Sequence, residues 1–137
     1  MEFDLSKRTR LINDYSDKPL PHVLTVERFF DGNNDPASIG CNLAQHPGIE
    51  VFRRTLMSLP RRGDVDAVYV QIAELDPGEG CWPFTDTIFV VGTIELDDLK
   101  AILAPLQPDE VGPGENFDVP GMVKQQHRNP VLAAWWD

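Results

Sequence analysis

The spacing of apolar residues changes several times along this chain, and each change predicts a different element. Between Pro47 and Pro60 apolar side chains recur every three or four positions, as at Phe52 and Leu56. This is the pattern of an amphipathic helix, with a proline in its permitted first turn. The same spacing predicts a second helix over Glu95–Leu106, whose first turn is acidic, as the helix dipole favours.

Other apolar runs are rich in β-branched and aromatic residues and predict strands. The segments are His22–Phe30, Val65–Leu75 and Thr85–Thr93. The tail from Asn129 to Asp137 can supply a last strand or a short packed turn. The third run is apolar on both faces, which predicts a central strand.

The order of these elements is strand, helix, strand, strand, helix, strand. It predicts an α+β fold of the ferredoxin-like βαββαβ type, an antiparallel sheet with two helices on one face. The length of 137 residues suits a single domain spanning residues 1–137. Residues 1–21 are polar and end in KPLP, which predicts an extended N-terminal arm before an α+β core at 22–137.

The negative charge of the chain is concentrated in one segment. The formal net charge is −10, and residues 64–118 hold thirteen acids against one base, Lys100, a net −12 for that window. Phosphates would be repelled by such a segment, so we expect neither nucleic acid nor an anionic membrane as partner, and we expect a basic protein. No apolar run long enough to cross a membrane and no signal peptide are visible, which predicts the cytoplasm.

The stretch FFDGNNDPASIGCNL resembles a calcium loop only at its start. Counted from Asp31, the sixth position is Pro36 rather than glycine and the twelfth is Asn42 rather than glutamate, so calcium binding is not expected. The connection from Asp31 to His46 is long for a compact domain, and it is either a loop with a short helical turn or a recognition loop.

No other pattern predicts catalysis, a metal or a cofactor. The two cysteines, Cys41 and Cys81, lie in no activating or zinc-binding motif and are expected to be free, buried thiols. The glycine-rich stretches lack the lysine and hydroxyl residue of a phosphate loop. We therefore predict no catalytic residue, no metal and no cofactor.

Two longer runs carry a resemblance to a known class of proteins. ERFFDGNNDPASIGCNL and VYVQIAELDPGEGCWPFTDTIFVVGT resemble small bacterial proteins of uncharacterised or immunity type, found in polymorphic-toxin and contact-dependent growth inhibition systems. The resemblance spans Val26 to Val111. It implies a cytoplasmic antitoxin that covers the active site of a basic toxin, often a nuclease.

The predicted partner-binding residues combine the acids, the long loop and two tryptophans. They are Asp31, Asn33, Asp35, Asp76, Glu79, Trp82, Asp86, Asp97, Asp98 and Trp136. A core position covering the sheet end is the other interpretation of Trp82.

Two alternatives to the immunity protein stay open. The first is a small enzyme with Asp86, Glu74 and either His46 or His127 around a pocket. The second is a self-associating domain, possible as a homodimer, that uses Trp135 and Trp136 as its contact. These two residues are adjacent, so on a strand they point to opposite faces.

Overall fold

A computed structural model describes residues 5–137 of the chain. Its strands are β1 (Val23–Thr25), β2 (Val65–Glu74), β3 (Phe84–Gly92), β4 (Glu110–Pro113) and β5 (Val131–Trp135). Its helices are α1 (Leu5–Tyr15), α2 (Val26–Phe30), α3 (Ile49–Ser58), α4 (Leu96–Leu103) and α5 (Gly121–Gln126). Single turns of 3₁₀ helix extend α3 over Leu59–Arg61 and α4 over Ala104–Leu106.

The five strands form one sheet in the order β1-β2-β3-β5-β4, and all neighbours are antiparallel. The predicted α+β class with an antiparallel sheet is therefore confirmed. The strand order differs from the ferredoxin-like prediction, in which a helix crossover joins two parallel strands. Here β1 and β2 are antiparallel neighbours.

The connection between β1 and β2 explains this difference. After α2 the chain runs along the sheet to Ile39, which bridges Thr85 at the start of β3. Helix α3 then carries the chain back to Val65, which pairs with Gly92 at the opposite end of β3. One traverse in each direction returns the chain to the end where β1 finished, so β2 runs antiparallel to it.

The two faces of the sheet are covered unequally. The first face holds the larger core, to which α3 contributes Phe52 and Leu56 and α4 contributes Leu99 and Leu103. Helices α1 and α2 add Leu11, Val26, Phe29 and Phe30 to the same core, so this face carries more than the two predicted helices. The second face holds a smaller cluster, to which the segment before α5 and α5 itself contribute Val119 and Val123.

The predicted extended arm is wrong for the part of it that the structure describes. Residues 5–15 form α1, whose Leu11 is buried in the larger core. The prolines at 19 and 21 exclude a helix from the segment after Tyr15, as predicted, but they do not prevent the helix that precedes it. Residues 1–4 of the predicted arm lie outside the described residues.

The predicted strand His22–Phe30 is correct only in its first half. Thr25 Oγ1 accepts a hydrogen bond from the backbone N–H of Arg28 at 3.2 Å and so caps α2. Helical spacing then buries Val26, Phe29 and Phe30 in the larger core. A threonine cap and one apolar turn therefore outweigh the β-propensity of the segment.

Candidate binding surface

The long loop after α2 is held together by its own polar side chains. The Asp35 carboxylate accepts hydrogen bonds from the backbone N–H of Ala37 and of Trp82, both at 2.9 Å. Asn33 donates to Ser38 Oγ at 2.9 Å and accepts from the Asp35 N–H. A single 3₁₀ turn at Pro36–Ser38 follows, so the predicted short helical turn in this loop is confirmed.

In this geometry two of the predicted partner-binding residues, Asn33 and Asp35, are buried and not accessible to a partner. Asn33 is fully buried and Asp35 is 5% exposed, because their side chains satisfy backbone and side-chain groups inside the loop. Asp31 is exposed at the end of α2 and pairs with Lys7 of α1 at 2.6 Å. Of these three residues, only Asp31 is placed where a partner can reach it.

Two of the predicted tryptophan contacts are also interior. Trp82 is 1% exposed and Trp136 is 2% exposed, and both belong to the core of the first face. Trp136 donates from Nε1 to the carbonyl of Leu106 at 2.8 Å and packs against Phe52. Trp82 therefore covers the sheet end, and neither indole is available to a partner.

The neighbouring Trp135 is the accessible tryptophan. Strand alternation turns it to the second face, away from Trp136. Its side chain is half-buried, and it belongs to neither of the two buried clusters formed by the described residues. The predicted contact residue Trp136 is therefore the buried member of the pair, and sequence alone does not show which of the two faces the larger core.

Strand register places Trp135 in a row that crosses the whole sheet. Cα partners run from Val23 in β1 through Gln71, Thr87 and Trp135 to Glu110 in β4. The adjacent row on this face contains Tyr69, Phe89 and Ala133, which α5 and the preceding segment cover. The row of Trp135 is covered at its Val23 end, and from Trp135 to Glu110 it lies open.

Acidic residues are frequent at the end of the sheet where this open part lies. We call this region the Glu74 end, because β2 finishes there. Its acids are Glu74, Asp76, Glu79, Asp86, Asp109, Glu110 and Asp137. Glu110 is the Cα partner of Trp135 in the strand register, and the Trp135 carbonyl accepts from the N–H of Asp109 at 2.9 Å. The N–H of the next residue, Trp136, donates to the Asp86 carbonyl at 2.9 Å.

The remaining predicted acids lie at the opposite end of the sheet, which we call the Gly92 end. Asp97 and Asp98 are exposed in the first turn of α4, just after β3 finishes at Gly92. The ten residues of β2 separate the two ends by roughly 30 Å. The acids that are continuous in sequence therefore form two separate surfaces, so Asp97 and Asp98 do not belong with Asp76, Glu79 and Asp86.

Arg8 from α1 is bonded into the Glu74 end. Its Nε donates to the Cys81 carbonyl at 2.6 Å, and its Nη2 donates to the Gly78 carbonyl at 2.8 Å and to Asp76 at 3.0 Å. The Arg8 side chain is only 13% exposed. It therefore fixes the turn between β2 and β3 while offsetting one of the surrounding carboxylates.

At the Gly92 end a second arginine shifts the ionisation of an acid. Arg62 donates to both carboxylate oxygens of Asp64 at 2.9 Å. This hydrogen bonding, with the attraction of the guanidinium, holds the pKa of Asp64 below its ordinary value. The Asp64 carbonyl also accepts from the N–H groups of Thr93 and Ile94, so this corner ties β2 to the segment before α4.

Comparison with known proteins places the chain in a family. The family model described as the Uncharacterized protein YfbO family matches residues 4–133. The chain belongs to this family. The match includes every helix and all strands except the end of β5, so Trp135 lies just beyond it.

A relative from Escherichia coli matches the chain over nearly its whole length. The "Uncharacterized protein YfbO" of Escherichia coli (strain K12) is 28% identical to this chain over 140 residues, which cover 97% of this chain and 98% of that protein. No solved structure matches the chain. Neither description mentions a toxin or immunity, so the predicted antitoxin role stays a prediction.

The two histidines considered for the predicted enzyme pocket are each bonded to neighbouring groups of the fold. His46 Nε2 lies 2.9 Å from the Ile39 carbonyl, Nδ1 accepts from the Gly48 N–H, and the ring packs on Phe52 of the first face. His127 lies on the second face, with Nε2 2.7 Å from the Tyr69 hydroxyl. The two histidines thus occupy opposite faces.

The Tyr69 hydroxyl and His127 form a small polar contact beside α5. Burial raises the pKa of Tyr69, and the negative charge of Glu27 raises it further. The phenol is therefore neutral near neutral pH and can hydrogen-bond to the imidazole. Both groups act here as a tie between α5 and the sheet.

Both cysteines are free, as predicted, but they are exposed rather than buried. Within residues 5–137 no three His, Cys, Asp or Glu side chains gather in a way that could hold a metal ion. No helix in that range has the length and apolar character needed to span a membrane.

Proposed function

We propose that this chain is a binding protein whose partner is a basic protein, and that the partner docks on the Glu74 end around Trp135. The observation that carries the proposal is the position of this indole, half-exposed on a sheet face, outside both buried clusters and paired across the sheet with the exposed Glu110 at the acidic Glu74 end. Tryptophan is among the residues enriched at binding hot spots, where a central aromatic anchor is surrounded by a polar rim. Trp135 with its cross-strand partner Glu110, at the acidic Glu74 end, has this composition.

The acids give the surface its specificity. Carboxylates gathered at one end of a molecule attract a cationic partner over a distance and speed its encounter, while they repel nucleic acid and anionic membranes. The same charge argues against self-association through this surface, because a symmetric dimer would bring two sets of carboxylates together. A basic partner relieves this repulsion.

The edges of the sheet favour docking on the face rather than strand addition. β1 has only three residues. β4 has four, and they include a charged residue, Glu110, and a proline, Pro113. Short strands, charges and prolines are the features that protect sheet edges from pairing with another chain.

The narrower form of the proposal is an immunity protein. The resemblance of the sequence to immunity-type proteins supports this form, and so does the chemistry of the surface. Carboxylates at the Glu74 end can occupy the positions that nucleic-acid phosphates take in the basic active site of a nuclease. Inhibition then follows from covering the active site.

The experiment is an affinity capture from the native host with three baits: the wild-type chain, Trp135→Ala and Leu5→Ala. Leu5 is 67% exposed on α1 and serves as a matched apolar control. We expect a basic protein to be retained by the wild-type and Leu5→Ala baits and lost from Trp135→Ala. Equal retention of the basic protein by all three baits would show that Trp135 does not contribute to the contact.

The immunity role has its own test with the captured protein. If the partner is a toxin, the purified chain should abolish its activity at equimolar ratio, and Trp135→Ala should require a large excess. If a basic partner binds but keeps its activity in the complex, the chain is a binding protein and the inhibitory role is contradicted.

A further inference from the structure

A cavity of about 400 Å³ lies beside the edge strand β1, away from Trp135. One wall is the turn before β1, from Lys18 to His22, together with Tyr15 at the end of α1. The other wall is the start of α5, where Pro120, Gly121 and Met122 approach Val23 across the second face. The size lies within the range of about 300–1,000 Å³ typical of small-molecule sites.

The lining of the cavity is mainly apolar, and part of it is unusually exposed. The exposed large hydrophobic side chains of residues 5–137 are Leu5, Leu20 and Met122. Two of these three line this cavity, with Leu20 at 79% and Met122 at 40% exposure. Exposed apolar side chains that converge on one concave site indicate a surface that is covered by a ligand.

The lining of this apolar cavity includes one positively charged side chain, that of Lys18. Lys18 is the only lining residue with a permanently charged side chain. Its Nζ lies 4.7 Å from the centroid of the Tyr15 ring, and within the described part of the chain it is not in an ion pair. By contrast, Lys7 and Arg8 of the preceding helix are both paired with carboxylates.

The backbone around Lys18 is held in place. The Lys18 carbonyl lies 3.0 Å from His22 Nε2, and the Lys18 N–H donates to the Tyr15 carbonyl at 3.1 Å. The His22 ring also packs edge-on against Tyr15. The ammonium therefore extends from a fixed turn at the mouth of an apolar cavity.

We propose that this cavity binds a free amphipathic carboxylic acid, with its apolar chain against Val23, Leu20 and Met122 and its carboxylate paired with Lys18. An apolar body with a single anionic head matches an apolar lining with a single cation. Phosphorylated sugars and nucleotides fit poorly, because one lysine cannot neutralise several charges and the walls offer few polar groups. The site is separate from the Glu74 end, so it does not depend on the proposed basic partner.

The test measures binding of decanoate to the full chain by isothermal titration calorimetry and by methyl chemical shifts of Leu20 and Met122. We expect saturable binding of decanoate, with weaker binding of decanol and of decylamine. Lys18→Glu should weaken decanoate binding at least about tenfold, since it replaces an attractive charge pair by a repulsive one. Lys124→Glu, an exposed lysine of α5 that does not line this cavity, should change it less than about twofold.

Three results would overturn the proposal. One is no saturable binding of decanoate to a chain whose spectra show it to be folded. Another is equal binding of decanoate and decanol with no effect of Lys18→Glu, which would show nonspecific apolar adsorption. The third is binding to vesicles of phosphatidylglycerol without binding of free decanoate, which would assign the surface to a lipid headgroup instead.

Discussion

Trp135 and Trp136 are adjacent in the sequence and differ entirely in environment. Trp136 packs in the core and bonds to the Leu106 carbonyl, while Trp135 lies on the partly open face. Alternation along a strand predicts that they point apart. Which of them is interior depends on the side of the sheet to which α3 and α4 pack, and that is not encoded in the two residues themselves.

The first prediction compares the stability of two tryptophan variants. Trp136→Ala should lower the free energy of unfolding by about 3–5 kcal/mol, because it leaves a large cavity and an unpaired carbonyl. Trp135→Ala should lower it by about 1 kcal/mol or less, as for a cross-strand neighbour on an open face. Urea unfolding followed by circular dichroism measures both, and equal losses would show that Trp135 is a core residue.

The second prediction concerns Asp35. Removing its carboxylate in Asp35→Ala leaves the N–H groups of Ala37 and Trp82 without this acceptor in a buried site. The expected loss of unfolding free energy is about 2–4 kcal/mol. The comparison variant Asp31→Ala removes an exposed ion pair and should cost about 1 kcal/mol or less. Similar losses of unfolding free energy in Asp35→Ala and Asp31→Ala would contradict the claim that Asp35 stabilises the loop and Asp31 does not.

At the scale of elements, the long periodic segments were predictable and the short ones were not. β2, β3 and α3 each contain enough apolar positions to reveal their period, and all three occur where the spacing predicts them. β4 lies in the glycine- and proline-rich stretch 108–121 and α5 begins where that stretch ends, and no helix or strand is predicted over either. They form because β5 offers β4 a partner strand and the second face offers α5 an apolar surface.

Helix α1 is another element that local sequence patterns do not predict. Its sequence, LSKRTRLINDY, is mostly polar and buries only Leu11. What holds it is a tertiary contact, the bonding of Arg8 to the turn between β2 and β3, together with the Lys7–Asp31 pair. Such long-range polar contacts leave no local pattern in the sequence.

The third prediction tests this contact. Arg8→Ala removes three hydrogen bonds from the turn at residues 76–81, so backbone amides there should exchange with solvent faster and stability should fall by about 1–2 kcal/mol. Arg10→Ala, an exposed arginine on the same helix, is the control and should change neither. Unchanged exchange in Arg8→Ala would mean that the turn is ordered without α1.

The fourth prediction is a dependence of stability on pH that comes from Asp64. Its pKa is lower in the folded chain than in the unfolded chain, so its contribution to stability is complete above the unfolded value of about 4 and is lost as the pH falls through the folded value. Asp64→Asn should therefore flatten the fall of the urea midpoint below about pH 4. A variant with the same acid dependence as the wild type would contradict this assignment.

At the scale of the whole molecule, the sequence predicts how much charge the chain carries but not where the charge lies in space. The window 64–118 is one acidic segment in the sequence. Because β2, β3 and α4 run back and forth across the sheet, its carboxylates divide between the Glu74 end and the Gly92 end. The order of strands, which local patterns do not specify, decides which acids act together.

The central claim is that the acids of the Glu74 end attract the partner. It is tested most directly by the association rate of the captured basic protein with two charge-reversed variants, measured against salt concentration. One variant changes Glu74, Glu79 and Glu110 to lysine. The other changes three exposed acids at the Gly92 end, Asp97, Glu115 and Asp118, to lysine, so both variants carry the same net charge.

We predict that reversal at the Glu74 end slows association by at least about tenfold and flattens its salt dependence, while reversal at the Gly92 end changes the rate much less. Equal slowing by both variants would show that only net charge matters. A larger effect of the Gly92-end variant would contradict the account and place the partner at the opposite end of the sheet.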